Sequence, residues 1–364
     1  MATIAARTNE GPAARPTMQQ KTHRPIEEYE STVGRLVDPR GNDPAHAPTA
    51  APPSVCCMRV LVTGSMGKVG SAVVGCLVAR GHEVVATDRA APVFESDEPG
   101  APHYVQADLT DPAAAFHLVR GCEGVVHAGA IPDPTHNAPH VVFENNLLAT
   151  FAILEASVRC GVSRVVNVSS ETVPGFIFAE REFLPAYCPI DEEHPALPQD
   201  PYALAKLFGE QLCGAAARRG DLTAVSVRPS WVQWEGNYAR NLAPMVRDRS
   251  LPSITFWSYV DDYDLAELLA LALESDTPGH EVVYAASPDN IGGRDLRAAM
   301  AEHYPSVPVR DLDRVDASGT SIARARRLFG WNPMRSWRHY LDDEGRLLTP
   351  VTTRRPEWPG PVVL

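Results

Sequence analysis

Tyr202 and Lys206 stand four residues apart in the segment Tyr-Ala-Leu-Ala-Lys, the spacing that puts two side chains on one face of a helix. A phenol has an ordinary pKa near ~10, so it acts as a base at neutral pH only beside positive charge. Lys206 would supply that charge, and it is one of three lysines in the chain. The pair therefore predicts acid/base chemistry at a carbon that carries a hydroxyl or carbonyl oxygen.

A second polar segment, residues 167–175, follows an apolar, strand-like run and contains Ser169 and Ser170. A serine at the carboxyl end of a parallel strand faces the ligand crevice of such a sheet, where its hydroxyl can bind the reacting oxygen. Neighbouring serines point in different directions, so we expect only one of them to do this. The alternative is that both serines merely cap a turn.

Gly64, Gly67 and Gly70 lie between the apolar run that ends at Thr63 and a helical pattern over residues 69–80. Glycines at such a turn let the backbone approach a pyrophosphate, whose charge is stabilised by the free amides at the helix start. Lys68 is followed by Val69 and not by Ser or Thr, which excludes a Walker loop. The strand before and the helix after favour dinucleotide binding over an ordinary strand-to-helix turn.

Asp88 closes the second strand-like run at the distance where an acidic side chain binds the adenosine ribose hydroxyls. Its charge favours NAD and repels the additional phosphate of NADP, but Arg89 and Lys68 offset that repulsion and leave NADP open. Asp108, after the third strand, is a candidate for the adenine edge, with a turn-forming role as the alternative.

Short β-branched runs alternate with helical patterns from residue 58 onward, including a helix from about Asn146 to Cys160. This alternation predicts an α/β fold, a Rossmann-type doubly wound parallel sheet with a small C-terminal substrate-binding lobe. The expected division is a disordered N-terminal extension (1–57), a dinucleotide-binding domain (58–230), a smaller lobe interleaved with it (231–345) and a loose C-terminal tail (346–364).

The net charge of −12 argues against nucleic acid or an anionic membrane as the partner, since both require a basic surface. The seven cysteines show no Cys-x-x-Cys pair and no histidine cluster at zinc-ligand spacing, so we expect reduced thiols and no metal. No secretory signal or bilayer-spanning run is evident in the sequence. The expected partner is a small molecule, and the expected location is the cytoplasm.

Together these motifs resemble the extended short-chain dehydrogenase/reductase superfamily, in its NAD-dependent epimerase/dehydratase group, over about residues 58–341. The matching residues are Gly64, Gly67, Gly70, the segment 127–130, Asn146, Ser170, Tyr202, Lys206, Arg228 and the segment 259–262. The resemblance implies that Ser170, Tyr202 and Lys206 are catalytic. The cofactor contacts expected from the motifs and the resemblance are Gly64, Met66, Gly67, Lys68, Val69, Gly70, Asp88, Arg89, Asp108, Leu109, His127, Ala128, Gly129, Asn146, Tyr202, Lys206 and Arg228.

Members of this superfamily that handle nucleotide-diphosphate sugars usually place an arginine four to five residues before the Val-Asp-Asp motif. Here the segment 254–258 contains no arginine, and the connection from Arg228 to Thr255 is short. The chain is similar in this compactness to uronate dehydrogenases, so we expect a smaller, sugar-like substrate. Trp231, Trp234 and Trp257 are candidates for lining its pocket, or else are ordinary core and rim residues.

The leading hypothesis is an NAD(P)-dependent oxidoreductase that transfers a hydride between the nicotinamide and a secondary alcohol or its carbonyl. One alternative is a (nucleotide-)sugar epimerase or dehydratase, in which the nicotinamide is reduced only transiently. An alternative of another class is a non-catalytic NAD(P)-sensing regulatory protein. A homodimer is left open.

Overall fold

The computed structural model describes residues 57–91 and 101–348, all of which belong to one unit of the chain that extends over residues 52–364. The predicted N-terminal extension, residues 1–57, and the predicted tail, residues 346–364, therefore lie almost entirely outside the described residues. Both stay predictions.

The main feature of the fold is a seven-stranded sheet in the order β3-β2-β1-β4-β5-β6-β9, in which every neighbouring pair is parallel. The strands are β1 (Arg59–Thr63), β2 (Glu83–Asp88), β3 (His103–Gln106), β4 (Gly124–His127), β5 (Arg164–Val168), β6 (Thr223–Pro229), β7 (Val232–Gln233), β8 (Val260–Asp261) and β9 (His280–Ala285). β7 and β8 form a separate two-stranded parallel sheet. The strand order confirms the predicted Rossmann-type, doubly wound parallel sheet.

The helices cover both faces of this sheet. They are α1 (Lys68–Ala79), α2 (Pro112–Val119), α3 (Pro139–Cys160), α4 (Pro201–Arg219), α5 (Tyr238–Asn241), α6 (Ala243–Arg247), α7 (Asp262–Glu274), α8 (Leu296–His303), α9 (Ala323–Phe329) and a 3-10 turn at Trp337–His339. α1 and α7 pack on one face, while α2, α3 and α4 pack on the other. Along β1, Val60 and Val62 face the first layer and Leu61 faces the second, so both faces are buried.

Helix α3 begins at Pro139 and not near Asn146, because proline suits the first position of a helix and Val142 packs against Ile131 and Tyr202. By length and composition α3 could cross a membrane, but half of its apolar stretch is buried inside the protein, as in a core helix.

A second hydrophobic core, rich in aromatic rings, is built mostly from the chain after β6. Within it the rings of Tyr238 and Tyr340 stack at 3.9 Å, and their hydroxyls donate to the buried carboxylate of Asp261 at 3.0 and 2.9 Å. The same part of the chain also returns to the main sheet as β9 and α7. The division at residue 230 stays a prediction.

Candidate active site

The carboxyl ends of β1, β4, β5 and β6 meet at one edge of the sheet, and most of the predicted site residues lie there. Gly64 follows β1, His127 ends β4, Ser170 follows β5 and Arg228 lies near the end of β6. Ligands of open parallel sheets bind outside this edge, at the point where the strand order reverses. In this sheet that point lies between β1 and β4.

The glycines after β1 have two different functions. Gly64 has a φ of +65°, and a Cβ there would lie 2.7 Å from the Cα of Gly129. A Cβ on Gly70 would lie 2.0 Å from the main-chain oxygen of Gly64, so both positions exclude a side chain for packing reasons. At Gly67 the only contact of a Cβ within 4 Å would be that same oxygen, at 3.1 Å. Gly67 therefore leaves its backbone open to a ligand.

The start of α1 fits the phosphates and ribose of a dinucleotide. Gly67 caps the helix without a side-chain hydrogen bond, and its first turn carries no acidic residue, so its amides can bind an anion. Asp88 accepts hydrogen bonds from the main-chain N–H groups of Met66 and Ala90, both at 3.1 Å. These bonds fix its carboxylate beside the glycine loop, as required of a ribose ligand.

The neighbouring cofactor candidates differ in their surroundings. Arg89 is exposed beside Asp88, while Val69 packs against the core under α1. Asp108 accepts bonds from the main-chain N–H and the hydroxyl of Thr110, at 2.9 and 2.7 Å, and these bonds lower the pKa of its carboxyl. Leu109 is buried. The geometry of Asp108 is that of a turn-forming side chain, and its contact with the cofactor stays a prediction.

His127 is a buried, neutral histidine with a partner on each ring nitrogen. Nδ1 lies 2.8 Å from Oγ1 of Thr63, and Nε2 lies 3.1 Å from Oγ1 of Thr150. Burial, and then the charge of Lys206, lowers its pKa to about 3. Since Thr63 Oγ1 also accepts from the N–H of Gly129 at 3.0 Å, the His127 side chain orients the end of β4.

Asn146 fixes the chain that leaves β4. Its side-chain oxygen accepts from the N–H of Ile131 at 2.7 Å, and its side-chain nitrogen donates to the oxygen of Ile131 at 3.0 Å. Asn146 is almost fully buried, on the side of α3 that faces this chain. The amide therefore shapes the wall of the crevice between Ala128 and Asp133.

Tyr202 lies in the first turn of α4, which begins after a good capping sequence. The carboxylate of Asp200 accepts from the N–H groups of Tyr202 and Ala203 at 3.0 and 2.9 Å, and Pro201 occupies the first helical position. The Tyr202 side chain is hydrogen-bonded to the hydroxyl of Ser170. Two hydroxyls from different elements therefore converge, and together they can bind one substrate oxygen.

The Tyr202 phenol is held in its protonated form when no ligand is bound. Burial is the main reason that its pKa rises to about 12, and the carboxylates of Asp200, Glu171 and Asp133 raise it further. The hydrogen bond with Ser170 opposes this increase. The phenol therefore keeps its proton at neutral pH, and it needs additional positive charge at the site before it can form the phenolate that accepts one.

Lys206 lies one turn further along α4, with its Nζ 5.7 Å from the centroid of the Tyr202 ring. It donates to the main-chain oxygen of Val168 at 2.6 Å. Burial lowers its pKa to about 8, and the carboxylate of Glu210 opposes this decrease. The structure thus brings Ser170, Tyr202 and Lys206 together, while their catalytic roles stay predictions.

Ser169 and Arg228 belong to a buried network beneath this site, which sequence reasoning did not find. Glu210 accepts from the Ser169 hydroxyl at 2.5 Å and from two nitrogens of Arg228 at 2.8 and 2.7 Å. Arg228 also donates to the Tyr284 hydroxyl at 3.3 Å. Its guanidinium is thus occupied by Glu210, and any contact with the cofactor stays a prediction.

Glu171 is a second residue that sequence reasoning missed, although it directly follows Ser170. Burial raises its pKa to about 8, while hydrogen bonds from the Ser230 hydroxyl and the Trp231 N–H favour the ionised form. The side chain nevertheless remains half-buried, which is typical of a crevice wall. A carboxyl that is largely neutral at pH 7 therefore lies close to Tyr202.

The three candidate pocket tryptophans occupy different environments. Trp257 is fully buried in the second core, where its Nε1 donates to the oxygen of Leu251 at 3.0 Å, so it is a core residue. Trp231 is exposed. The ring centroid of Trp234 lies 4.0 Å from Nζ of Lys68.

Comparisons with known proteins show to which family the chain is similar. The family described as "NAD dependent epimerase/dehydratase family" matches residues 60–285. A UDP-glucose 4-epimerase of Streptomyces lividans is 28% identical over 316 residues, which cover 76% of this chain and 92% of that protein. A uronate dehydrogenase of Pseudomonas syringae pv. tomato is 30% identical over 248 residues, covering 68% and 80%. The solved structure "Mutated Uronate Dehydrogenase" is 26% identical, with a TM-score of 0.57 over 77% of this chain and 83% of that chain.

Proposed function

The chain belongs to the NAD-dependent epimerase/dehydratase family, within the extended short-chain dehydrogenase/reductase superfamily, and we propose that it oxidises a secondary hydroxyl of a small, free sugar acid. It is an enzyme, and its cofactor is NAD. The hydrogen-bonded pair of Tyr202 and Ser170, with Lys206 one helical turn away, supports the chemistry.

The main support for a small substrate is the packing of the segment 254–258. Phe256, Trp257 and Ser258 are fully buried, and the two aromatic rings belong to the second core. In superfamily members that handle nucleotide sugars, an arginine that meets the diphosphate is expected in this stretch. Here the stretch is filled by packed side chains, which favours a substrate without a nucleotide.

Positive charge near the glycine loop supports an acidic substrate. Burial lowers the pKa of Lys68, the charge of nearby Arg240 lowers it further, and the charge of Asp133 opposes this decrease. Two cations with one neighbouring carboxylate favour an incoming anion. A sugar carboxylate is such an anion and is small enough for a crevice without a nucleotide site.

In the proposed reaction, NAD held by the glycine loop and Asp88 would supply the acceptor for the hydride that leaves the carbon bearing the hydroxyl. Ser170 donates a hydrogen bond to the substrate oxygen and orients it, while Tyr202 accepts the hydroxyl proton as the carbonyl forms. Lys206, tied to Val168, keeps positive charge beneath the ring and so favours the phenolate. Tyr202 then passes the proton to solvent, and the balance is one alcohol oxidised, one NAD reduced and one proton released.

An epimerase or dehydratase is the second candidate, because UDP-glucose 4-epimerases match this chain as well as uronate dehydrogenases do. Net NADH formation separates the two. The third interpretation, a non-catalytic NAD(P)-sensing protein, is disfavoured by the assembled Ser170, Tyr202 and Lys206.

The deciding experiment follows NADH absorbance while the protein is incubated with NAD and, in separate reactions, free uronates, neutral sugars and UDP-sugars. We expect NADH to accumulate with a uronate and not in a matched Tyr202→Phe sample. Isomerisation of a UDP-sugar without net NADH would instead establish the epimerase, and it would refute the proposal.

We propose further that the protein is a cytoplasmic homodimer. The exposed side chains of Val141, Leu148 and Phe151 follow one another along one face of α3, and exposed Phe208 on the adjacent α4 contacts Phe143 at 6.0 Å between ring centroids. An apolar face of this kind on two packed helices supports association with a second copy. The free thiols of all six cysteines within the described residues support a reducing compartment.

A further inference from the structure

Lys68 and Trp234 make a contact that joins the glycine loop to the opposite side of the crevice. The Lys68 ammonium lies 4.0 Å from the centroid of the Trp234 ring, within the range of an attractive cation–π interaction. Lys68 is the first residue of α1, and Trp234 directly follows β7. The two residues therefore belong to separate walls of the crevice.

The strand order shows what this contact crosses. β1, which leads into Lys68, and β6, which leads towards Trp234, are separated in the sheet by β4 and β5. Neighbouring strands lie ~4.8 Å apart, so β1 and β6 are separated by three strand spacings, or about 14 Å. The contact therefore joins the start of α1, which follows β1, to the segment that follows β6, and the ends of β4 and β5 lie between these two strands in the sheet.

Trp234 is held in place by its own turn. Its N–H donates to the side-chain oxygen of Asn237 at 2.8 Å, and the Asn237 N–H donates back to the Trp234 oxygen at 2.9 Å. Asn237 is buried. At Gly236 a Cβ would lie 3.1 Å from Nε1 of Trp234, so glycine leaves room for the indole. The ring position is thus built into the fold.

Asp133 connects this contact with the reacting end of the site. Burial lowers the pKa of Lys68 and raises that of Tyr202; the charge of Asp133 opposes the first shift and adds to the second. One carboxylate is therefore close enough to act on both groups. The Lys68 and Trp234 contact is therefore near the carboxyl edge of the sheet that carries Tyr202, since Lys68 also follows the glycine loop at that edge.

We propose that Lys68 and Trp234 form a clasp across the crevice that slows the release of bound dinucleotide. This inference rests on the proposed function, because it presumes that NAD lies along the carboxyl edge of the sheet. A dehydrogenase must exchange its cofactor in every turnover, so the opening of this clasp would contribute to the rate of that exchange. Lys68 and Trp234 are positioning residues, since neither transfers a proton.

The test is the rate of NADH dissociation, followed by the fluorescence of NADH after rapid mixing with excess NAD. Wild type is compared with Lys68→Gln, Trp234→Leu and the double variant. We expect each single variant to release NADH about two- to fivefold faster, which corresponds to roughly 0.5–1 kcal/mol. The double variant should be no faster than either single variant, because both changes remove one interaction.

Two conservative variants and a stability measurement control this experiment. Lys68→Arg and Trp234→Phe retain a cation and an aromatic ring, so their dissociation rates should remain near that of wild type. Melting temperatures of all variants identify any loss of folding.

Two other results would refute the proposal that Lys68 and Trp234 form a clasp. Faster release in Lys68→Gln with no change in Trp234→Leu would mean that Lys68 binds the cofactor without the ring. Fully multiplicative effects in the double variant would mean that the residues act independently. In both cases wild type still binds NADH and the proposed function is unaffected, whereas a wild type that fails to bind NADH refutes both.

Discussion

The ammonium of Lys206 donates a hydrogen bond to the main-chain oxygen of Val168 at 2.6 Å, and this bond ties helix α4 to the last residue of strand β5. Tyr202 lies one turn earlier on that helix, and Ser170 follows that strand. One buried bond therefore fixes the distance between the two elements that carry the candidate acid/base groups. It also gives the lysine a structural function besides its charge.

Replacing Tyr202 by phenylalanine should reduce turnover by about 10²- to 10⁴-fold, because the phenol is the proposed proton acceptor. The affinity for NAD, measured by titration, should remain close to that of wild type. Tyr187→Phe is the matched control, since that hydroxyl bonds to Asp191 away from the site. Turnover like that of wild type in Tyr202→Phe would refute the assignment.

Replacing Glu171 by glutamine should change how stability depends on pH. Burial raises the pKa of Glu171 to about 8 in the folded protein, from a value of 4.5 for the free side chain. The folded state holds this proton more tightly, so the resulting stabilisation is complete below about pH 4.5 and is lost as pH rises through about 8.

Lys206 changes the pH dependence of stability in the opposite direction. Burial lowers its pKa to about 8, so its contribution to stability is lost as pH falls through that value. It titrates in both proteins, so the comparison cancels it. Between about pH 6 and about pH 9, the melting temperature of wild type should therefore decrease more, or increase less, than that of Glu171→Gln. Parallel curves would show that Glu171 does not titrate in this range.

Much of the fold was predictable because a parallel sheet buried on both faces needs continuous valine-rich runs, and β1, β2, β4 and β5 consist of such runs. The start of α3 was missed because residues 139–145 have weak helical periodicity by themselves, and the only buried side chain among them, Val142, packs against Ile131 and Tyr202, which are distant in the sequence. Tertiary contacts override local preference there.

The site was predictable only where its geometry is local. Tyr202 and Lys206 share a helix face, and the serine at the end of β5 follows from the strand. By contrast, the contact of Lys68 with Trp234 and the pairing of Arg228 with Glu210 join residues far apart in the sequence. No local spacing encodes such pairs, so the sequence predicted Arg228 as a cofactor contact and gave no sign of its buried ion pair.

The apolar face of α3 and α4 should hold a homodimer together, and a charge placed on it should separate the subunits. We expect Phe151→Glu to convert a dimer into a monomer, because burial of an unpaired carboxylate is costly. Sedimentation velocity over a range of concentrations measures this. Val315→Glu, at an exposed position outside α3 and α4, is the control. A wild type that remains monomeric at every concentration would contradict the proposal.

Gly67 and Gly70 should respond differently to the same substitution. Gly70→Val should destabilise the fold strongly, since a Cβ would lie 2.0 Å from the Gly64 oxygen. Gly67→Val should leave the melting temperature much closer to that of wild type and weaken NAD binding severely, because the side chain would occupy the ligand's approach. Thermal melts and NAD titrations separate these outcomes. Unchanged affinity in Gly67→Val would refute the placement of the pyrophosphate.

Asp88→Ala should narrow the preference for NAD over NADP. The carboxylate is fixed beside the glycine loop by the N–H groups of Met66 and Ala90, where it can bind the ribose and repel an added phosphate. Loss of one charge-assisted hydrogen bond costs roughly 1.5–3 kcal/mol, or about ten- to a hundredfold in affinity. Arg89 remains exposed next to the site and can pair with the NADP phosphate, so the preference can reverse. Values of kcat/KM for both cofactors, before and after the substitution, measure the effect. A wild type that already prefers NADP would mean that Asp88 is not the ribose ligand and that Arg89 decides the selectivity.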